Sequence, residues 1–306
     1  MSSPTGHGSF PCTGCIPDTI NGAKFVRDLY DLHGPHDLSK FTVPILWDKK
    51  TEKVVSNESS EIIVMLNEAF NAVAKNPDLD LNPADLRVRP LSLGPRCACW
   101  KRHATKPHHS DTCPLAQEEM AAVDKWIYPG INDGVYRCGF STTQQAYEEA
   151  FDSLFAALDR ADGILAKQRY IAGDRLTLSD IRLWMTLIRF DPVYVVYFKT
   201  NKKRIDEYPN LFNYVKEIWQ VSGVVTRCST TPHPAPRATC RLRVPRLTAE
   251  PRGQIPEVKA STDLGHIKTH YFSSHPRHNF YSIIPKGNVV DLDAPHDRER
   301  LPKSAK

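Results

Sequence analysis

Four tyrosines stand in segments dense with aromatic and polar residues: Tyr136 in NDGVYRCGF, Tyr194 and Tyr197 in RFDPVYVVYFKTN, and Tyr271 in HIKTHYFSSH. A phenol ionises near pH 10, so at neutral pH it can donate a proton to a developing anion or hydrogen-bond a thiolate. Packing in a core or an interface is the commoner use of each one alone. A second constellation is TVPILWDKKTEKVVSNESSEII, residues 42–63, where an X-Pro step at Val43-Pro44 precedes a helix start at Glu58-Ser59. The unpaired N–H groups and positive dipole end of a helix N-terminus suit a carboxylate. An X-Pro step, if cis, leaves the residue before it free to pair its backbone with an extended peptide. A capped helix after a hairpin is the plainer reading of the same residues.

Two cysteine groupings offer other chemistries. Cys97, Cys99, His103, His108, His109 and Cys113 are zinc-ligand types, but their spacing fits no tight finger and no hydrophobic pattern frames them, so no metal site is assigned. Cys12-Thr13-Gly14-Cys15 has redox-pair spacing, which acts when a strand precedes it and a helix follows. Here polar residues precede it and Ile16-Pro17-Asp18 follows, which reads as incidental cysteines in a terminus.

The elements that must position these residues fall into two regimes. From Asn21 to about Asn76 the pattern is α/β. Residues 23–30 read as a short helix, and two strands follow around the turn Asp48-Lys49-Lys50-Thr51. A helix then carries apolar residues at Ile62, Ile63, Leu66, Ala69 and Phe70. From Leu115 to Val221 the pattern is helical throughout. One helix is marked by Met120, Val123, Trp126 and Ile127. A second starts after an N-cap in Ser141-Thr142-Thr143 and repeats Ala150, Phe151, Leu154, Phe155, Leu158 and Ala161 at three and four. A third opens at Thr177, with Asp180 at the reciprocal position of a capping box and Gly173 in the turn before it. A fourth runs from Pro209 to Trp219.

Two basic segments interrupt this order. Residues 87–114 carry six Lys or Arg against Asp111, and residues 227–253 carry six Arg against Glu250. Each adds five net positive charges to a chain whose total is +5, so the remainder is acidic. Neither segment shows a period of 2 or 3.6, and both read as unstructured insertions. Hydrophobic content of 41 % and charged content of 25 % in 306 residues describe a globular chain. No apolar run approaches a membrane span and the start lacks a secretory pattern, so a cytoplasmic location is expected.

The segments IPDTINGAKFVRDLY, FTVPILWDKK, VVSNESSEII, AVDKWIYPGINDGVYRCGFSTTQQAYEEA, GDRLTLSDIRLWMTLIRFDPVYVVYFKTN, YPNLFNYVKEIW and GHIKTHYFSSH resemble the glutathionyl-hydroquinone reductases, the omega-like xi class of glutathione transferases. The resemblance implies an α+β/all-α glutathione-transferase architecture, a thioredoxin-like α/β domain followed by an all-α helical bundle domain, and a homodimer. It divides the chain into a disordered start (1–15), a truncated glutathione-binding domain (16–86), the first insertion (87–114) and the all-α domain (115–226). The second insertion (227–253) and a C-terminal helix and tail (254–306) complete it. Glutathione is the implied co-substrate and aromatic glutathione conjugates the implied partners. Val43, before a cis Pro44, would pair with the cysteinyl part of glutathione, and Glu58 and Ser59 would hold its γ-glutamyl end.

In this family's reaction a cysteine thiolate attacks the sulfur of a glutathionyl-hydroquinone. The hydroquinone leaves, and a second glutathione resolves the mixed disulfide. Tyr136 would be the proton donor to the leaving aromatic carbon, with Tyr194 and Tyr271 completing the pocket and helping to depress the thiol pKa. The chain departs from the family in two respects that bear on this chemistry. The nucleophile's Cys-Pro-Trp-Ala motif does not occur in the 306 residues, and a tryptophan used against glutathione is also missing. The expectation is therefore an N-terminally short chain, without the nucleophilic Cys and impaired in activity. Its two basic stretches read as translated non-coding sequence, with a lineage-specific insertion as the rival. A non-catalytic binding protein on the transferase scaffold is the alternative function. In that reading the basic arms would touch nucleic acid, but arginines without interleaved aromatics are a weak nucleic-acid signal.

Overall fold

The computed structural model describes residues 17–33, 41–74, 77, 79–83, 115–221, 258–259, 261–274, 279–287 and 290–302. The start at 1–15 and the segments 87–114 and 227–253 lie outside them, as do the cysteine and histidine groupings of those stretches. The first helix, α1, spans Val26–His33 rather than residues 23–30. Asp28 accounts for the later start, because its carboxylate accepts the N–H groups of Lys24 (2.9 Å) and Phe25 (3.0 Å) and holds them in a preceding turn.

Strands β1 (Leu46–Asp48) and β2 (Lys53–Ser56) form the expected antiparallel hairpin, in which Trp47 faces Val54 and Asp48 faces Lys53. Asp48 builds the turn by accepting Lys50 N–H at 2.8 Å and the Thr51 hydroxyl at 2.8 Å, an Asx-type closure. Helix α2 (Ser59–Glu68) follows after Glu58 in an extended conformation. Ile63, Val64 and Leu81 pack against Met120, Ala172 and Leu178, and Leu178 N–H donates to Leu81 carbonyl at 2.9 Å. These contacts tie the small α/β unit to the helical one.

The helical unit contains α3 (Leu115–Ile127), α4 (Gly134–Gly139), α5 (Gln144–Leu165), α6 (Leu178–Arg189), α7 (Val195–Tyr197) and α8 (Pro209–Trp219). Helix α9 (Leu264–Ser274) packs Phe272 into the same core. Helix α5 starts where its cap was expected, with Thr143 Oγ1 accepting Ala146 N–H at 3.2 Å. It buries Ala150, Leu154, Phe155, Leu158, Ala161 and Leu165, one stripe at helical spacing. At the start of α6, Asp180 accepts Thr177 N–H (2.8 Å), Ile171 N–H (2.8 Å) and the Tyr214 hydroxyl (2.9 Å). It is fully buried, and burial pushes its carboxyl up to about 6 against the pull of those hydrogen bonds.

Two wider turns interrupt the helices. Asp133 N–H reaches back five residues to Tyr128 carbonyl (2.8 Å), and Val195 N–H reaches back five to Phe190 carbonyl. The turn Tyr128–Asn132 has Pro129 in second place, and Phe190–Tyr194 has Pro192 in third. Proline has no N–H to give and crowds the preceding turn, so one extra residue relieves both problems and rotates the helix beyond it.

The C-terminal residues are strapped to α8. Gln220 Nε2 donates to Leu292 and Ala294 carbonyls (2.7 and 2.8 Å), Lys216 Nζ to Pro295 carbonyl (2.9 Å) and Trp219 Nε1 to Asp293 (3.0 Å). Arg298 is completely buried. Its Nε donates to Glu217 at 3.0 Å, while its other nitrogens donate to the carbonyls of Leu165 (3.0 Å), Gln168 (2.9 Å) and Arg169. It therefore caps the end of α5 from more than a hundred residues away. Among the described residues no helix is long and apolar enough to cross a membrane, and no cluster of metal-ligating side chains occurs.

Candidate functional site

The Val43–Pro44 peptide is cis, and Val43 is 70 % exposed. Tyr30 and Asn57 hold this stretch in place. The Tyr30 hydroxyl donates to Thr42 carbonyl (2.9 Å), and Asn57 Nδ2 donates to Tyr30 Oη (3.0 Å) and Thr42 Oγ1 (3.3 Å). The residue before Val43 is thus bonded to the residue before Glu58, so the X-Pro step and the start of α2 form one locus. Glu58 and Ser59 are exposed there. The first turn of α2 closes on Glu58 carbonyl through Glu61 and Ile62 N–H, both at 3.0 Å, which leaves the earlier donors facing outward. Ser56 Oγ steadies the entry by accepting Glu58 N–H (3.1 Å) and donating to Glu61 (2.9 Å). An exposed backbone segment beside a helix N-terminus can take an extended peptide at one end and its carboxylate at the other.

The tyrosines form a second cluster. The hydroxyls of Tyr136, Tyr194 and Tyr271 make a triangle with sides of 2.7 Å (136 to 271), 3.1 Å (194 to 271) and 3.4 Å (136 to 194). They come from α4, from the end of the wide turn at Phe190–Tyr194, and from α9. Tyr197 does not join the triangle; its ring lies edge-on to Tyr271 at 6.2 Å.

Phe198 is the platform of this cluster, stacked on Tyr194 at 5.3 Å and 2° and tilted against Tyr136 at 5.4 Å. It reaches that position because Gly139 has no side chain: a Cβ there would lie 2.0 Å from Phe198 Cδ1. Nothing in the sequence singled out Gly139, Phe198, Tyr30 or Asn57. A glycine ending a four-residue run that begins with a candidate catalytic tyrosine was the available hint for the first.

Burial raises the Tyr194 phenol well above its ordinary value, and charge on Tyr136 would raise it further. Tyr271 is pushed up by the same two causes in the same order. Both phenols are therefore proton-bearing donors at neutral pH, which suits protonation of a leaving group better than action as a base. Because their folded values lie above the unfolded one, the folded state is favoured below about pH 10 and loses that advantage as pH rises beyond it. An ultraviolet titration of the native chain should show fewer than its 11 tyrosines ionising near pH 10, the rest appearing only with loss of the fold. Ionisation of all of them near pH 10 with the fold intact would contradict this arrangement.

Cys138 is the free cysteine among the described residues. It is 1 % exposed, and burial pushes its thiol up to about 11. It follows Tyr136 by two residues but faces the core rather than the phenols.

Residues 144–217 match the family model described as glutathione S-transferase, C-terminal domain. The chain is 35 % identical over 291 residues to the glutathionyl-hydroquinone reductase YqjG of Escherichia coli (strain K12), covering 95 % of this chain and 68 % of the relative. It is 35 % identical over 282 residues to the glutathionyl-hydroquinone reductase PcpF of Sphingobium chlorophenolicum, covering 92 % and 69 %. The glutathione-bound structure of YqjG superposes with a TM-score of 0.69, over 95 % of this chain and 73 % of that one, at 36 % identity. A xi-class glutathione transferase from Natrialba magadii superposes with a TM-score of 0.71, over 95 % and 71 %, at 31 % identity.

Proposed function

Because the chain belongs to the glutathionyl-hydroquinone reductases, and so to the glutathione transferases, we propose that it binds glutathione against Val43, Glu58 and Ser59 and an aromatic glutathione conjugate against Tyr136, Tyr194 and Tyr271. The observation that carries this reading is the meeting of three phenols at 2.7–3.4 Å beneath aromatic rings. Such a cluster gives a hydroquinone both stacking surface and proton donors. The tripeptide's γ-glutamyl carboxylate would accept from the first N–H groups of α2, and the backbone of Val43 would pair with the cysteinyl residue.

In the complete reaction a thiolate attacks the conjugate's sulfur. The carbon–sulfur bond breaks, its electron pair goes to the aromatic carbon, and Tyr136 supplies the proton that turns that carbon into the C–H of free hydroquinone. The thiolate is the component these 306 residues lack in its family context. The chain is read as a binding site with its proton donors in place and its nucleophile missing.

The test is calorimetric titration with glutathione and, separately, with a glutathionyl-hydroquinone. The conjugate should bind more tightly than glutathione. Tyr271→Phe should remove about 0.5–1.5 kcal/mol from the conjugate alone, the worth of one hydrogen bond. Asn57→Ala should weaken both ligands, because it releases the Thr42–Val43 segment. Equal affinities for conjugate and glutathione, or a Tyr271→Phe effect on both, would overturn the reading.

A further inference from the structure

The proposed function leaves unused a cleft on the other side of α4. Tyr136 faces the phenol cluster, while the next residue, Arg137, lines a cleft of about 370 Å³ between α3, the wide turn at Tyr128–Asn132, and α5. Lys125 and Arg160 join Arg137 in its wall, and no acidic residue lines it among the described residues. None of the three cations makes an ion pair with an acidic residue among the described residues, whereas Arg169, Arg182, Arg204, Arg298 and Arg300 all do.

Arg160 is held in position rather than left to sweep through solvent. Its guanidinium lies over the Trp126 ring, 4.3 Å from the centroid, which restrains its long side chain while keeping its charge. The turn and α5 pack closely at the floor, where Gly130 and Ala157 meet: a Cβ on Gly130 would come within 2.9 Å of Ala157 Cβ. Pro129 and the five-residue turn bring Gly130 to that contact, and such turns inside helices recur at functional sites.

Three cations around one concavity, with no ion-pair partner among the described residues, repel each other and gain when an anion enters. The cleft's volume falls within the range of small-molecule sites. We infer that this cleft is a second ligand site, separate from the phenol cluster, that binds a small polyvalent anion of the phosphate or pyrophosphate type through Lys125, Arg137 and Arg160.

The experiment is calorimetric titration of the full chain with inorganic pyrophosphate at low ionic strength, where charge interactions are least screened. Saturable binding is expected. Arg137→Gln and Lys125→Gln should each weaken it several-fold, and the double variant by well over tenfold. Lys49→Gln, in the hairpin turn, should leave it unchanged. No binding by the unaltered chain would overturn the proposal, as would equal losses in Lys49→Gln and Arg137→Gln, which would mean a response to net charge alone. Sedimentation closes the remaining route: a dimer that Arg137→Gln dissociates would make the cleft a contact between copies of the chain and overturn its assignment as a ligand site.

Discussion

Replacing Arg298 with methionine should lower the unfolding free energy by about 3–5 kcal/mol, the scale for breaking a buried ion pair from one side. The guanidinium is wholly buried and its donors are spent on four acceptors, the Glu217 carboxylate and the carbonyls of Leu165, Gln168 and Arg169. Methionine fills much of the volume but supplies no donors. The carbonyls of Leu165, at the end of α5, and of Gln168 and Arg169 just beyond it would then lack this partner, and Glu217, itself 3 % exposed, would keep Arg169 and the Tyr170 hydroxyl but lose half of its charge pairing. Domain stabilities are typically about 5–15 kcal/mol, so the loss should move the urea midpoint strongly. Arg298→Lys should fall between, since one ammonium cannot reproduce the fork.

The neighbouring Arg300 supplies the contrast. Its pair with Asp297 is half-exposed on both sides, and surface pairs of that kind contribute little. Arg300→Ala should therefore leave the midpoint almost unmoved. Equal shifts for the two substitutions would show that the tail is not anchored through Arg298.

The sequence makes the local chemistry of this fold readable, and much less of its long-range closure. Asp48 announces its turn because a carboxylate two residues before an N–H can close it, and Thr143, Thr177 and Asp180 announce helix starts for the same kind of reason. Such signals lie within three or four residues of what they control. The phenol triangle is partly readable: residue types mark Tyr136, Tyr194 and Tyr271, but their meeting depends on a wide turn around Pro192 and on the missing Cβ of Gly139. Tyr197 has the same local context as Tyr194 and stays out of the triangle, which only the helix phase decides. Arg298 lies in DAPHDRER, where nothing separates a buried capping arginine from the exposed Arg300 two residues on. Tyr30 falls at the end of a segment that reads as a short helix, and its hydroxyl's part in tying Thr42 to Asn57 spans 27 residues of chain. In each case the partner is far away in sequence and is a backbone carbonyl or a side chain with no pattern of its own.

The 306-residue chain should release no hydroquinone from a glutathionyl-hydroquinone above the rate with glutathione alone. The reaction needs a thiolate in line with the conjugate's sulfur, and Cys138 cannot provide one. With its thiol pushed up to about 11, roughly one molecule in 10⁴ carries a thiolate at neutral pH, and the group is 1 % exposed. The other seven cysteines, at 12, 15, 97, 99, 113, 228 and 240, lack the Cys-Pro-Trp-Ala setting in which a helix N-terminus lowers the thiol pKa. Phenols do not stand in for a nucleophile, because they donate protons to a leaving carbon only after a nucleophile has begun to displace it. Removing a covalent nucleophile costs on the order of 10⁶ in turnover where the comparison has been made, with residual catalysis from binding and positioning alone. Chromatographic measurement of released hydroquinone, run beside the calorimetry, separates the two halves of the reading. Conjugate binding with no turnover is the expected pair. Turnover at an ordinary enzymatic rate, about 1 s⁻¹ or faster, would refute the claim of a missing nucleophile. Peptide mapping of the trapped mixed disulfide would then name the cysteine responsible.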